Sequence, residues 1–201
     1  AQARAEEIVL QGSDLPDDWI AQAEEQTAEG ERSEREFNRC VGTDFSGITI
    51  IGEAESGGHE TADGSISVNS ESTVFESAEQ GEQALAEVAE VSTDRVDECM
   101  TTLLDSLVEE GFELGDLEVS SLDVPTPAGA DQVHAWRAQV EVSGEGGRAM
   151  TYFDLVLVRG GDAGISFTTF SVVGPFEEAL RDELLAAMAA RLGADSIAPS
   201  P

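Results

Sequence analysis

Residues 133–173, VHAWRAQVEVSGEGGRAMTYFDLVLVRGGDAGISFTTFSVV, decide the fold. Three apolar-rich runs are separated by two glycine-rich breaks, a spacing that predicts two successive hairpins and hence antiparallel neighbours. In the first run Trp136, Ala138, Val140 and Val142 share one parity, while Arg137, Gln139 and Glu141 take the other. His134, between Val133 and Ala135, is expected on the outward face. The second run, MTYFDLVLVR, is almost continuously apolar, as a central strand covered on both faces should be. Gly174 and Pro175 end the third run and open a helix, on which Phe176, Leu180, Leu184, Met188 and Leu192 form one stripe.

Upstream, the apolar period shifts from two to about 3.6. ITIIGEAES reads as a strand, SGGHETADG as a turn, and SISVNSESTVFES as a half-buried strand with Ile66, Val68 and Val74 on one face. Two helices follow. The first covers about 78–91, with Ala84, Leu85, Val88 and Ala89 in its stripe. The second runs from a cap at Ser92 or Thr93 to Gly111, with Val96, Met100, Leu103, Leu104, Leu107 and Val108 in its stripe. FELGDLEVSSLDV is a strand that Gly115 can break, and SEREFNRCVG is a short helix capped by Ser33. The sum is an α+β domain: a twisted antiparallel sheet of about six strands with helices packed on it. It is expected over residues 31–193, after a partly ordered arm over 1–30 and before a flexible tail over 194–201.

The chain has 201 residues, with 42 Asp and Glu against 10 basic residues, all of them arginine, for a net charge of −32. Such a field repels phosphate backbones and anionic headgroups, which excludes nucleic acid and acidic membrane surfaces as partners. The same surface suits either plain solvation or a high-salt habitat. No apolar run reaches the roughly 18 residues of a membrane span. The start, AQARAEE, lacks Met and any visible signal peptide, as a mature or trimmed chain would.

Chemistry turns on Cys40 and Cys99, the only cysteines. A zinc site wants four closely spaced Cys or His ligands, and only His59 and His134 could join them. A thiolate nucleophile wants a lowered pKa, whereas both cysteines sit among carboxylates. A Cys40–Cys99 disulfide is expected, each partner lying on a predicted helix near an apolar face. The alternative, two separate buried thiols in a cytosolic protein, stays open here. The bridge would place the chain in an oxidising compartment. His59 lies in a glycine-rich turn beside Glu60 and needs no catalytic role. No GxSxG elbow occurs, SGEGGR lacks the Gly-Lys-Ser/Thr ending of a phosphate loop, and TADGS lacks EF-hand spacing. No metal, cofactor or catalytic residue is expected.

A set of spaced pieces adds a resemblance. SDLPDDW precedes the first cysteine in NRC; AES, SESTVFES and the helical DECM with the second cysteine follow; AWRAQVEV, FDLVLVRGGDAGISF and a helix ending AARL complete it. Over about residues 8–193 this pattern resembles actinobacterial secreted proteins and lipoproteins related to the PknH-type extracellular sensor domain, and more broadly the PsbP-like lipoproteins. The resemblance implies an extracytoplasmic α+β domain, secreted or lipid-anchored from an upstream segment, with a cleft for a small ligand and no catalysis. That family often carries two disulfides, and this chain can form only one.

Three functions are therefore in view. The first is a non-catalytic ligand-binding or sensor-like module of the cell envelope, taking a small apolar or amphipathic ligand or a protein partner. Trp136, Tyr152, Phe167 and Phe170 are its candidate lining residues. The second is a secreted hydrolase that uses paired carboxylates on cell-wall sugars, and the third is an acidic protein that docks a cationic partner. The compartment is tested by mass: protein from its own host is expected two hydrogens short of the reduced mass, a deficit that reductant restores. Free thiols in that sample would remove the argument for export.

Overall fold

The computed structural model describes residues 1–22, 40–41, 45–109, 112–144 and 147–193, and within the helix over 93–109 it describes the side chains up to Thr101 and that of Leu104. The order is α1 (Gln2–Ile8), a 3-10 turn (Gly12–Asp14), β1 (Trp19–Ala21), β2 (Ile50–Glu55), β3 (His59–Thr61), β4 (Ile66–Phe75), α2 (Ala78–Ala89) and α3 (Thr93–Glu109). Then come β5 (Glu113–Leu114), β6 (Glu118–Ser121), β7 (Gln132–Gly144), β8 (Gly147–Gly160), β9 (Ala163–Ser171) and α4 (Glu178–Leu192). The helix expected over 33–42 lies outside the described residues except for Cys40 and Val41, which are helical.

The nine strands of the described residues join one antiparallel sheet, in the order β1-β3-β4-β9-β8-β7-β5; β2 shares the outer edge of β4 with β3, and β6 shares that of β7 with β5. The expectation of about six strands is corrected to nine. Gly115 does split one expected strand, its N–H donating to the Glu141 carbonyl at 2.7 Å. The other two, β1 and β3, are three residues each, too short to display a period. The β8–β9 turn has only Gly161 and Asp162 between its paired ends, and Gly161 takes φ +60°, where tight hairpins select glycine.

Register assigns every strand residue to a face. One face carries Val68, Ser70, Ser72 and Val74 of β4, Ala163, Ile165, Phe167 and Thr169 of β9, Asp154, Val156 and Val158 of β8, and Ala135 and Arg137 of β7. Against it pack Leu184, Leu185, Met188, Ala189 and Leu192 of α4, and Ala5 and Ile8 of α1, all buried. The residues before β1, expected in a partly ordered arm, thus supply core side chains. The two polar residues this brings inside are satisfied by the same segment: Ser72 Oγ donates to the Ala5 carbonyl at 2.7 Å, and Leu10 N–H donates to Ser70 Oγ at 2.8 Å. Arg191 fastens it further, Nη2 reaching Asp14 at 2.7 Å and the Val9 carbonyl at 3.0 Å. Burial, the largest single influence on Asp14, pushes its carboxyl up, but the hydrogen bonds and charge of Arg191, with the Gln11 N–H, leave it below its ordinary range.

The opposite face holds Phe153, Leu155, Leu157 and Arg159 of β8, with Gly164, Ser166, Thr168 and Phe170 of β9 and His134, Trp136, Ala138 and Val140 of β7. α2 packs on this face and α3 lies along β5 and β6. The apolar parity of β7 therefore points away from the main core, and its charged parity points toward it. Arg137 is tolerated there because Asp154, across the strand pair, takes both Nε and Nη2 at 2.6 Å. Asp154 is fully buried, and its hydrogen bond to Arg137 raises the guanidinium pKa against the opposing cost of burial. Removing one partner of a buried pair strands the other charge, at a cost of about 3–5 kcal/mol. Asp154→Ala is expected to lower unfolding stability by that amount in urea titrations; a loss near zero would mean that Arg137 is solvated.

Candidate functional site

α2 sits close to the sheet because its core-facing position 81 is glycine. A Cβ there would lie 3.1 Å from the Phe75 ring and 3.2 Å from the Gly161 carbonyl. Ser77 caps the helix by accepting from Gln80 N–H, and the Gln80 side chain in turn accepts from Thr49 N–H at 2.7 Å. That bond ties the segment before β2 to the helix. Between them opens a cleft of about 290 Å³. Phe45, Ile48 and Ile50 form one wall, Ala84, Leu85 and Val88 of α2 another, and Leu157 and Arg159 of β8 lie at its floor. Phe45 and Ile50 keep 38% and 43% of their surface exposed, so the mouth is apolar and open.

A second, polar pocket of about 360 Å³ lies where α2 passes into α3. Its walls include Thr93, Ser121, Asp123, His134 and Trp136. The His134 and Trp136 rings stack with centroids 6.3 Å apart. His134, expected on the outward face, is corrected to a half-buried position in this pocket, on the same face as Trp136 two residues along the strand.

The four aromatic residues singled out in the sequence are not brought together. Trp136 and Phe170 lie on the α2 face; Tyr152 and Phe167 lie on the other. Phe167 is fully buried, edge-on to Phe176 at 6.4 Å. Trp136 lines the polar pocket, Phe170 is 41% exposed on the sheet, and none of the four lines the apolar cleft.

The cysteines do meet. Cys40 and Cys99 form a disulfide with Cα atoms 5.6 Å apart, joining the helical residues 40–41 to α3. His59, expected in a turn, is a buried residue of β3, and burial pushes its imidazole pKa down. Strand alternation sends it and Glu60 to opposite faces, so the two form no acid–base pair. A two-carboxylate mechanism wants one acid held high. The described carboxylates displaced from their ordinary range are displaced downward: Asp14, and Asp63, brought to about 2 by hydrogen bonds from Ser65 and Thr61. Among the described residues no group of three or more His, Cys, Asp or Glu could hold a metal ion.

No family model and no curated protein matches the chain. Among solved structures it is similar to an uncharacterized protein from Mycobacterium smegmatis, the Rv0999 ortholog, at 11% identity over 90% of this chain and 93% of that one, with a TM-score of 0.44. It is also similar to the extracellular domain of PknH from Mycobacterium tuberculosis, at 10% identity over 96% and 94%, with a TM-score of 0.40. The PknH-type relation read in the sequence thus reappears among structural neighbours, at scores that carry no argument about function.

The cleft depends on how closely α2 approaches the sheet. Gly81→Leu is expected to cost about 1–3 kcal/mol by overpacking against Phe75 and the Gly161 carbonyl. Thermal unfolding of the variant checks this, and unchanged stability would mean that α2 shifts freely.

Proposed function

We propose that the chain is an extracytoplasmic, non-catalytic binding module of the cell envelope, secreted or lipid-anchored, which takes a small apolar or amphipathic ligand. The observation that carries the reading is the cleft beneath α2, with its aliphatic and aromatic walls and its exposed mouth at Phe45 and Ile50. Its volume is at the lower end of small-molecule sites, which are mostly apolar with a few placed polar groups. The Cys40–Cys99 disulfide supports the compartment, since such bridges persist where thiols are oxidised. No described helix is long and apolar enough to cross a membrane. The sugar-hydrolase reading has less support, because neither displaced carboxylate is held in the protonated form that a general acid needs.

An apolar fluorescent probe, N-phenyl-1-naphthylamine, tests the cleft. The protein is expected to bind it with enhanced emission. Ile50→Asp puts a charge at the exposed mouth with little effect on folding, and is expected to weaken binding roughly tenfold, the loss of about one apolar side chain's contribution. A variant that binds as well as the parent would place the ligand elsewhere.

A further inference from the structure

The arginine in the cleft differs from the others. Every other arginine with a described ion pair has a carboxylate oxygen within 3.3 Å: Arg4, Arg95, Arg137, Arg148, Arg181 and Arg191. Arg159 has its carboxylate, Asp131, at 3.5 Å, the longest separation of the set, and Asp131 is 55% exposed and already accepts from Gly161 N–H at 2.9 Å. The other partners of Arg159 are neutral. Nε donates to Gln132 Oε1 at 3.2 Å and Nη1 to the Gly161 carbonyl at 3.1 Å. Nη2 donates to none of the described residues.

This weakly neutralised guanidinium is not on the surface. Its side chain keeps only 10% of its accessible area, and its Cδ passes 3.6 Å from where a Cβ of Gly81 would lie, under the first turns of α2. A charge that deep costs free energy unless an opposite charge or good hydrogen bonds face it. In a chain of 42 acids a nearer carboxylate would be easy to supply. Among the described residues the cleft wall holds one acid, Glu53, exposed on β2, and no second basic side chain.

From the apolar walls and this guanidinium we infer that the cleft takes an amphipathic anion, a long-chain carboxylate whose tail lies along Leu85, Val88 and Leu157 and whose head is received by Arg159. The inference rests on the binding reading above and narrows it to one ligand class. Arginine suits the task because its planar donors match both oxygens of a carboxylate.

The full chain is tested in high salt, which screens the net charge, by displacement of N-phenyl-1-naphthylamine with dodecanoate or with dodecanol. Dodecanoate is expected to displace the probe at about tenfold lower concentration than the alcohol, the scale of one charge-assisted bidentate contact. Arg159→Gln is expected to abolish that preference, so that dodecanoate and dodecanol displace the probe at similar concentrations. Asp131→Asn, at an exposed site that does not threaten folding, is expected to tighten dodecanoate by removing the competing carboxylate. Equal displacement by acid and alcohol, or no displacement of a bound probe by either, overturns the inference and leaves the apolar site standing. Failure of the probe itself to bind overturns both.

Discussion

The apolar composition of both faces of β8 is the constraint on which the rest of the structure depends. Val156 and Val158 are buried on the face of α1 and α4, and Phe153, Leu155 and Leu157 are half-buried on the face of α2. A strand of that composition cannot lie at an edge or face water on one side. β7 and β9 close its two edges through short turns, and helices must cover both faces. α4 follows β9 directly and covers one; α2 and α3, inserted between β4 and β5, serve the other. The N-terminal helix completes the first layer beside α4, and Ser72 and Ser70 of β4 find their partners in the backbone of that helix and of Leu10 just after it.

Charge is distributed by the same logic. Most of the described acids are exposed to solvent. Three of the described arginines hold separate segments together: Arg4 to Asp162, Arg191 to Asp14, and Arg137 to Asp154. Exposed ion pairs contribute little, whereas these are partly or fully removed from water, and Arg4 and Arg191 also satisfy backbone carbonyls. Arg159 stands apart because its role in joining segments is filled by neutral acceptors.

Much of the fold was legible in the sequence because β7, β8 and β9 are 13, 14 and 9 residues long, enough for period and turn chemistry to agree. The stripes of α2 and α4 were legible for the same reason. β1 and β3 were not, since three residues show no period, and α1 was not, since its Ala5 and Ile8 form no stripe until Arg191 and Ser72 hold the backbone against the sheet. The disulfide could be reached by elimination among two cysteines. The cleft could not be read, because its walls come from five separate segments and none has a pattern of its own. Choosing residues by aromatic size gathered Trp136, Tyr152, Phe167 and Phe170 across both faces, where strand parity and register separate them.

The disulfide also sorts the cleft by time. Its two ends, Cys40 and Cys99, enclose the stretch that carries Phe45, Ile48, Ile50 and all of α2, while Leu157 and Arg159 follow much later in the chain. If the chain is exported through a channel amino end first, as the binding-module proposal implies, both thiols reach the oxidant before the β8–β9 hairpin emerges. Two walls can then be stapled into a ring while the floor is still inside the channel. The guanidinium lies downstream of both cysteines, on the strand that completes the floor beneath two walls that the bridge alone can enclose.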